Sequence, residues 1–228
     1  MDDIVAYFFN WTVLKEAVPY MTAGLWTTVK LSIWVIPMGL ASGLLLAVLG
    51  FVLRNRWVRA MLVIYIDIFR AFPPLVLLIF IYTGLPYMGV HLSPLACVAV
   101  GFMLNNSSYF GEIFRAGLES VPRGQMEAAR STGLSRCQSL VWVEIPQAVR
   151  NVFPDLVSNM IEVVKLTTIA SAVSVPDMLY AARTTQSMLY NPTPIVLAAG
   201  VYLAMLWPFV MLLNRLERRG RQAFKRFA

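Results

Sequence analysis

Four charged side chains stand where charge is expensive. Asp67 and Arg70 lie three residues apart, as do Glu162 and Lys165, and both pairs fall in stretches that are otherwise mostly apolar. Residues three apart meet along one face of a helix, so each acid can neutralise the base beside it and lock its helix to a neighbour. The same groups, facing water instead, would line a path for a polar solute. Asn105, Ser108 and Thr168 would add hydrogen bonds to that path. A charge at mid-bilayer costs about 2.5–3.5 kcal/mol on insertion scales, so these residues face protein or water and not lipid.

Other chemistry is scarce. No GxxxxGK[ST] loop occurs, so the chain does not hold ATP in the P-loop manner. The one histidine, His91, lies in a loop between apolar segments, which excludes a histidine metal cluster and a Ser-His-Asp triad elsewhere. Cys97 lies in an apolar segment and Cys137 in a basic one, without metal-ligand spacing. The chain reads as non-catalytic, with no metal and no cofactor of its own.

The surrounding elements explain why those charges matter. Of 228 residues, 58% are hydrophobic and 14% charged, with mean hydropathy +0.66. A soluble domain carries about 25% charged residues. The balance excludes a soluble enzyme, a disordered chain and a disulfide scaffold, and it points to an integral membrane protein. A crossing helix needs about 20 mostly apolar residues. That length places spans at about residues 24–53, 60–83, 93–114, 151–176 and 194–214. Gly84, Pro86 and Gly89 divide the second from the third. The second reaches back to about residue 60, because too few residues follow Arg70, and this puts Asp67 and Arg70 inside the membrane. Pro37, Pro73, Pro74, Pro154 and Pro208 fall within or beside spans, as kinks or as packing.

Lysine and arginine set the orientation. They crowd the first connection (Arg54, Arg56, Arg59), the third (Arg115, Arg123, Arg130, Arg136, Arg150) and the C-terminal tail (Arg215 to Arg226), whereas the other side holds Lys15 and Arg183. Basic residues stay cytoplasmic, so the N-terminus is expected outside and the C-terminus inside. The net charge of +7 therefore reports cytoplasmic loops and membrane lipid, not nucleic acid. Residues 1–21 read as an extracytoplasmic lead-in, amphipathic through Ile4, Val5, Phe8, Phe9 and Leu14. The whole of 1–228 reads as a single transmembrane domain.

The connection at about 116–150 reads helix, turn, helix. Glu127 to Arg130 favours helix, Gly133 permits a positive φ that ends it, and Ser135 can cap the next. Ala128 and Ala129 give a narrow face that a partner groove could accept. Pro146 marks entry to the fourth span.

Glu127-Ala128-Ala129, three residues, Gly133, nine residues, then Val143-Glu144-Ile145-Pro146 resembles the Glu-Ala-Ala-x3-Gly-x9-Ile-x-Leu-Pro signature of permease subunits of ABC importers. Two apolar swaps are the only departures. Gly24 to Ser32, Phe69 to Leu75, Leu104 to Arg115, Lys165 to Ile169 and Leu216 to Arg219 are similar to the polar amino acid subfamily, which serves histidine, arginine, glutamine, glutamate and opines. Ala71 and Phe72 replace its small Gly and Thr, and Glu162 replaces an apolar or small residue.

The resemblance implies an all-α type I importer permease fold with five transmembrane helices and a cytoplasmic coupling helix. It implies a multi-pass protein of the bacterial inner membrane. The partners would be a second permease chain, identical or paralogous, two ATP-binding cassette ATPases holding ATP and magnesium, and an extracytoplasmic solute-binding protein. Gln125, Glu127, Ala128, Ala129, Arg130 and Gly133 would couple to the ATPase. Asp67, Arg70, Asn105, Ser108, Glu162, Lys165 and Thr168 would meet an amino acid, and the added Glu162 leans toward a cationic one such as arginine, histidine or an opine. The competing reading is an ATP-independent carrier or channel. Five spans do not divide into two equal inverted halves, which argues against it.

Overall fold

The computed structural model describes residues 7–53 and 55–225, residues 216–225 by backbone alone. The start of the lead-in (Met1 to Ala6), Arg54, and the basic side chains beyond Arg215 lie outside the described residues. Those described form helices and turns with no strand.

Helix α1 runs Trp11–Val52, 42 residues. It begins well before the expected start near residue 24. Asn10 explains the early start, because its side chain accepts from Thr12 N at 3.0 Å and Val13 N at 3.2 Å. This caps two of the orphan donors of a first turn. At 1.5 Å per residue α1 is about 63 Å long, twice a hydrocarbon core.

The expected second span, 60–83, is not one helix. Helix α2 is Arg56–Ala71 and α3 is Pro74–Gly84. Pro73 and Pro74 lack the amide donors that would carry the ladder onward, so the chain extends at Phe72 (φ −78°, ψ 126°) and restarts. A 3-10 turn, Leu85–Met88, closes on Gly89 at φ +79°.

Helix α4, Pro94–Glu119, is long enough to cross, although the polar run Asn105 to Tyr109 dilutes its apolar character. Short helices α5 (Arg123–Ser131), α6 (Arg136–Ser139) and α7 (Ile145–Asn151) follow, with a π-helical turn at Leu140–Glu144. Pro146 sits in the first turn of α7, where a missing amide costs nothing. It continues the helix without a break. Helix α8 (Phe153–Leu166) tightens into a 3-10 segment, Thr167–Val173, and α9 (Met178–Leu189) and α10 (Thr193–Lys225) complete the chain. Trp11–Val52, Phe153–Val173 and Thr193–Arg215 are long and apolar enough to cross a membrane, and the broken pair α2–α3 makes a fourth if counted as one span. Trp26, Trp34, Leu203 and Trp207 on α1 and α10 are exposed, as lipid-facing side chains are.

The chain divides into two compact units. The first takes residues up to Ile36, Pro74–Gly101 and Met160 onward. Its core gathers Ala17 and Met21 of α1, Met178 and Ala182 of α9, and Ala198 of α10. Gly24 is required there, because a Cβ would meet Asp177 O at 2.7 Å and the Ala181 Cβ at 2.8 Å. Thr28 Oγ1 accepts from Met178 N at 3.1 Å beside it.

The second unit takes Pro37–Pro73 and Phe102–Asn159. Here α1 and α4 cross at Gly43, where a Cβ would stand 2.5 Å from the Phe110 Cβ and 2.7 Å from Gly111 N. Phe102, Phe110, Phe114 and Leu118 are buried along α4.

Candidate functional site

The connection expected to be helix, turn, helix folds that way in the second unit. Helix α5 presents Gln125, Glu127, Ala128 and Arg130 to the outside and buries only Ala129. Gly133 takes φ +92°, a left-handed conformation that an L side chain avoids, and ends the turn. Arg130 donates from Nη1 to Leu134 O at 3.1 Å across that turn. Ser135 and Gln138 then form a reciprocal capping box, Gln138 N to Ser135 Oγ at 3.2 Å and Ser135 N to Gln138 Oε1 at 2.8 Å. Helix α6 lasts a single turn, and the following residues widen into the π-helix. Gln147 Nε2 reaches Gln125 Oε1 at 3.4 Å, tying α7 to α5. The result is a short, rigidly bounded helix whose small residue Ala128 faces outward.

The polar residues behave differently from one another. Asn105 is buried, and its Nδ2 donates to Phe69 O at 2.9 Å. Ser108 is fully buried and donates to its own helix at Asn105 O. The three-residue spacing predicts an Arg70–Asp67 pair, but among the described residues the two do not pair. Arg70 reaches across to α4 instead, with Nη1 4.0 Å from Glu112 Oε1 and its guanidinium over the Tyr109 ring at 5.7 Å. Tyr109 and Glu112 on the neighbouring helix give Arg70 a cation–π contact and a distant carboxylate, and Asp67 stays exposed. Glu112 also takes Arg115, which goes on to Glu119 at 2.6 Å.

Glu162 and Lys165 are ion-paired along one face of α8 in the first unit, both largely exposed. Thr168 Oγ1 donates to Lys165 O at 2.8 Å, so its hydroxyl proton is spent within its own helix.

Residues 37–222 match the family described as the binding-protein-dependent transport system inner membrane component. The chain belongs to this family. Among curated relatives, the probable amino-acid ABC transporter permease protein YckA of Bacillus subtilis is 32% identical over 216 residues, covering 93% of this chain and 94% of that protein. The putative glutamine transport system permease protein GlnP of Rickettsia felis is 35% identical over 195 residues, covering 84% and 89%. The histidine/lysine/arginine/ornithine transport system permease protein HisM of Salmonella typhimurium is 32% identical over 210 residues, covering 86% and 89%. A crystal structure of an amino acid ABC transporter with histidines superposes with TM-score 0.82 at 31% identity, covering 92% of this chain and 98% of that one. The inward-facing MetNI methionine ABC transporter superposes with TM-score 0.74 at 19% identity, over 88% and 95%, which is a likeness of fold.

This amino acid ABC transporter permease is thus an all-helical membrane protein that works with ATPase and binding-protein partners. Several of its site residues escape sequence reasoning. Tyr109 and Glu112 give no signal alone, and only the proline pair at 73–74 hints that groups from another helix must serve the end of α2. Glu144 occupies the free position of the loop signature, yet it is 6% exposed, and among the described residues its Oε2 has no partner. Burial pushes its carboxyl above the usual range, offset in part by the nearby Arg136.

Proposed function

We propose that this permease carries a polar amino acid into the cytoplasm through five spans, N-terminus outside, with a separate ATPase supplying the energy through the Glu127–Gly133 loop. The observation that carries the proposal is α5: a nine-residue helix, exposed at Glu127, Ala128 and Arg130, stopped by a left-handed glycine and pinned by a capping box. Such a helix can transmit a push because it has fixed ends, while Ala128 lets a groove approach closely. Closure of two ATPases on ATP and magnesium would move the loops of two permease chains as rigid bodies and reopen the core outward. This chain contributes the lever and the path, and the nucleotide chemistry belongs to its partner.

The solute class rests on the relatives, whose names specify glutamine in one case and histidine, lysine, arginine and ornithine in another. Asp67, Arg70, Asn105 and Ser108 in the second unit, and Glu162, Lys165 and Thr168 in the first, are the residues we assign to solute contact, each unit taken by itself. The lean toward a cationic solute rests on Glu162, whose charge is shared with Lys165.

Reconstitution tests the coupling. Glu127→Lys reverses the charge on the exposed face of α5 and should abolish uptake and binding-protein-stimulated ATP hydrolysis, while the chain still inserts. Uptake at the parental rate in that variant would remove the loop from the mechanism. Uptake that persists without ATP would favour a gradient-driven carrier.

A further inference from the structure

Between α1, α2 and α4, within the second unit, runs a groove of about 290 Å³. Small residues make its floor: Ala47 and Gly50 of α1 and Gly111 of α4. Among the described residues a Cβ on Gly50 would meet only Leu62 Cδ1, at 3.7 Å, so the space above that glycine is open. Leu46, Leu62, Val63 and Ile66 form the walls. Only three lining residues are charged, Arg59, Arg115 and Glu119, and they stand toward the end where α1 and α4 finish and α2 begins. Ile66 lies seven residues beyond Arg59, so the apolar part reaches about 10 Å along α2. A polar solute would find no side-chain hydrogen bond along that length.

The charged end keeps a positive charge to give. Glu119 is taken by Arg115 at 2.6 Å, and Arg115 pairs with Glu112 as well. Arg59 has no carboxylate partner among the described residues. Its Nε donates to Leu53 O at 2.9 Å, which holds the guanidinium at the mouth and leaves its terminal N–H groups to a ligand. A phosphate accepts two such bonds in parallel. Arg56, three residues earlier, adds a second positive charge and lies over the exposed Trp57 ring at 5.3 Å. Tryptophan and arginine together mark the depth of lipid headgroups. The flanks of the groove are apolar and open: Leu45, Met61, Val63 and Ile64 are each more than half exposed. A fixed positive charge at one end of an apolar groove complements a molecule that is anionic at its head and apolar along its length.

We propose that this groove binds an anionic phospholipid, one acyl chain lying over Ala47 and Gly50 and the phosphate on Arg59. A choline or ethanolamine headgroup gains less, because its ammonium meets no free carboxylate at the mouth: Glu119 is already paired. That the lipid belongs to the cytoplasmic leaflet rests on the proposed orientation, whereas the chemistry of the site does not.

The test uses the assembled transporter purified in detergent. It is incubated with phosphatidylglycerol and phosphatidylcholine of the same chain length at equal concentration, and the lipids it retains are counted by native mass spectrometry. The parent should retain phosphatidylglycerol over phosphatidylcholine by about fivefold, the weight of one basic residue at a membrane surface. Arg59→Gln should bring that ratio near one. Gly50→Leu drops a side chain into the open groove and replaces a poor helix former, so it should remove the preference while the complex stays assembled. A parent without preference, or a preference that survives either substitution, overturns the proposal. So does separation of the permease pair in Gly50→Leu, which would make the groove a subunit contact. Retention is blind to leaflet, and protease access to a tag placed after Ala228 in intact cells reads the orientation separately. A tag cleaved from outside would move the site to the outer leaflet and leave the lipid assignment standing.

Discussion

The Asn105 side chain donates from Nδ2 to the Phe69 carbonyl over 2.9 Å. In an unbroken helix that carbonyl would accept from residue 73, which is proline. Pro74 likewise leaves Arg70 O without its ladder partner, and there the Tyr109 hydroxyl donates at 3.3 Å. Asn105 and Tyr109 are one turn apart on α4, and Phe69 and Arg70 are adjacent at the end of α2. Two consecutive prolines therefore orphan two consecutive carbonyls, and one face of a neighbouring helix supplies both donors.

Substituting Asn105 tests this pairing. Asn105→Leu fills similar space and removes the donor, leaving Phe69 O unpaired. The expected loss is about 1–3 kcal/mol, seen as a lower melting temperature of the purified transporter. Asn105→Asp, with no amide proton to give, should lose as much. If both variants melt with the parent, the bond does not hold the broken span.

Gly43 is predicted to tolerate no side chain. A Cβ there would stand 2.5 Å from the Phe110 Cβ and 2.7 Å from Gly111 N, and the second of these is backbone that cannot rotate away. Gly43→Val should prevent assembly, read as loss of the folded chain from membranes. Gly200→Ala has nothing within 4 Å of the added methyl among the described residues and replaces a poor helix former, so it should be neutral or slightly stabilising. Equal expression of both variants would contradict the close crossing of α1 and α4.

Particular residues show how far the sequence could be read. The loop was legible because Gly133 and Ser135 act locally: a positive φ and a side-chain cap are decided within a few residues. The early start of α1 was legible in principle, since Asn10 is a capping residue followed by a helical run, but an apolar-length criterion sees spans and not caps. The partner of Arg70 was not legible. Local spacing offers Asp67, whereas Glu112 and Tyr109 become available only once α2 and α4 pack. Glu144 was hidden for a related reason, because a residue in a variable position of a signature shows its burial only in three dimensions.

Gly133 joins local conformation to coupling. At φ +92° a branched residue is strained by about 1–2 kcal/mol, the cost of a left-handed residue with a Cβ. Gly133→Val should loosen the end of α5 and lower binding-protein-stimulated ATP hydrolysis more than it lowers chain yield. Gly133→Asn, which visits the left-handed region more readily, should fall between parent and Val. Among the described residues nothing lies within 4 Å of an added Cβ, so crowding within this chain does not account for the effect. Identical stimulation in all three proteins would show that the turn conformation does not matter to the coupled rate.

Asp177 should make stability depend on pH in a direction unusual for a carboxylate. Its Oδ1 caps α9 by accepting from Tyr180 N at 2.7 Å, but it is wholly buried and among the described residues Oδ2 has no partner. Burial pushes its carboxyl up to about 7, against an ordinary value of 3.8. The folded state therefore binds the proton more tightly than the unfolded chain. The stabilisation is full below the ordinary value, declines as the unfolded chain ionises, and is gone once pH passes about 7. The melting temperature should fall as pH rises from about 4 to about 7, whereas Asp177→Asn, which keeps the capping oxygen and cannot ionise, should flatten that slope. A parent protein that instead gains stability across the window, with Asp177→Asn following the same curve, would mean the carboxylate is ionised and served by a donor that the described residues do not provide.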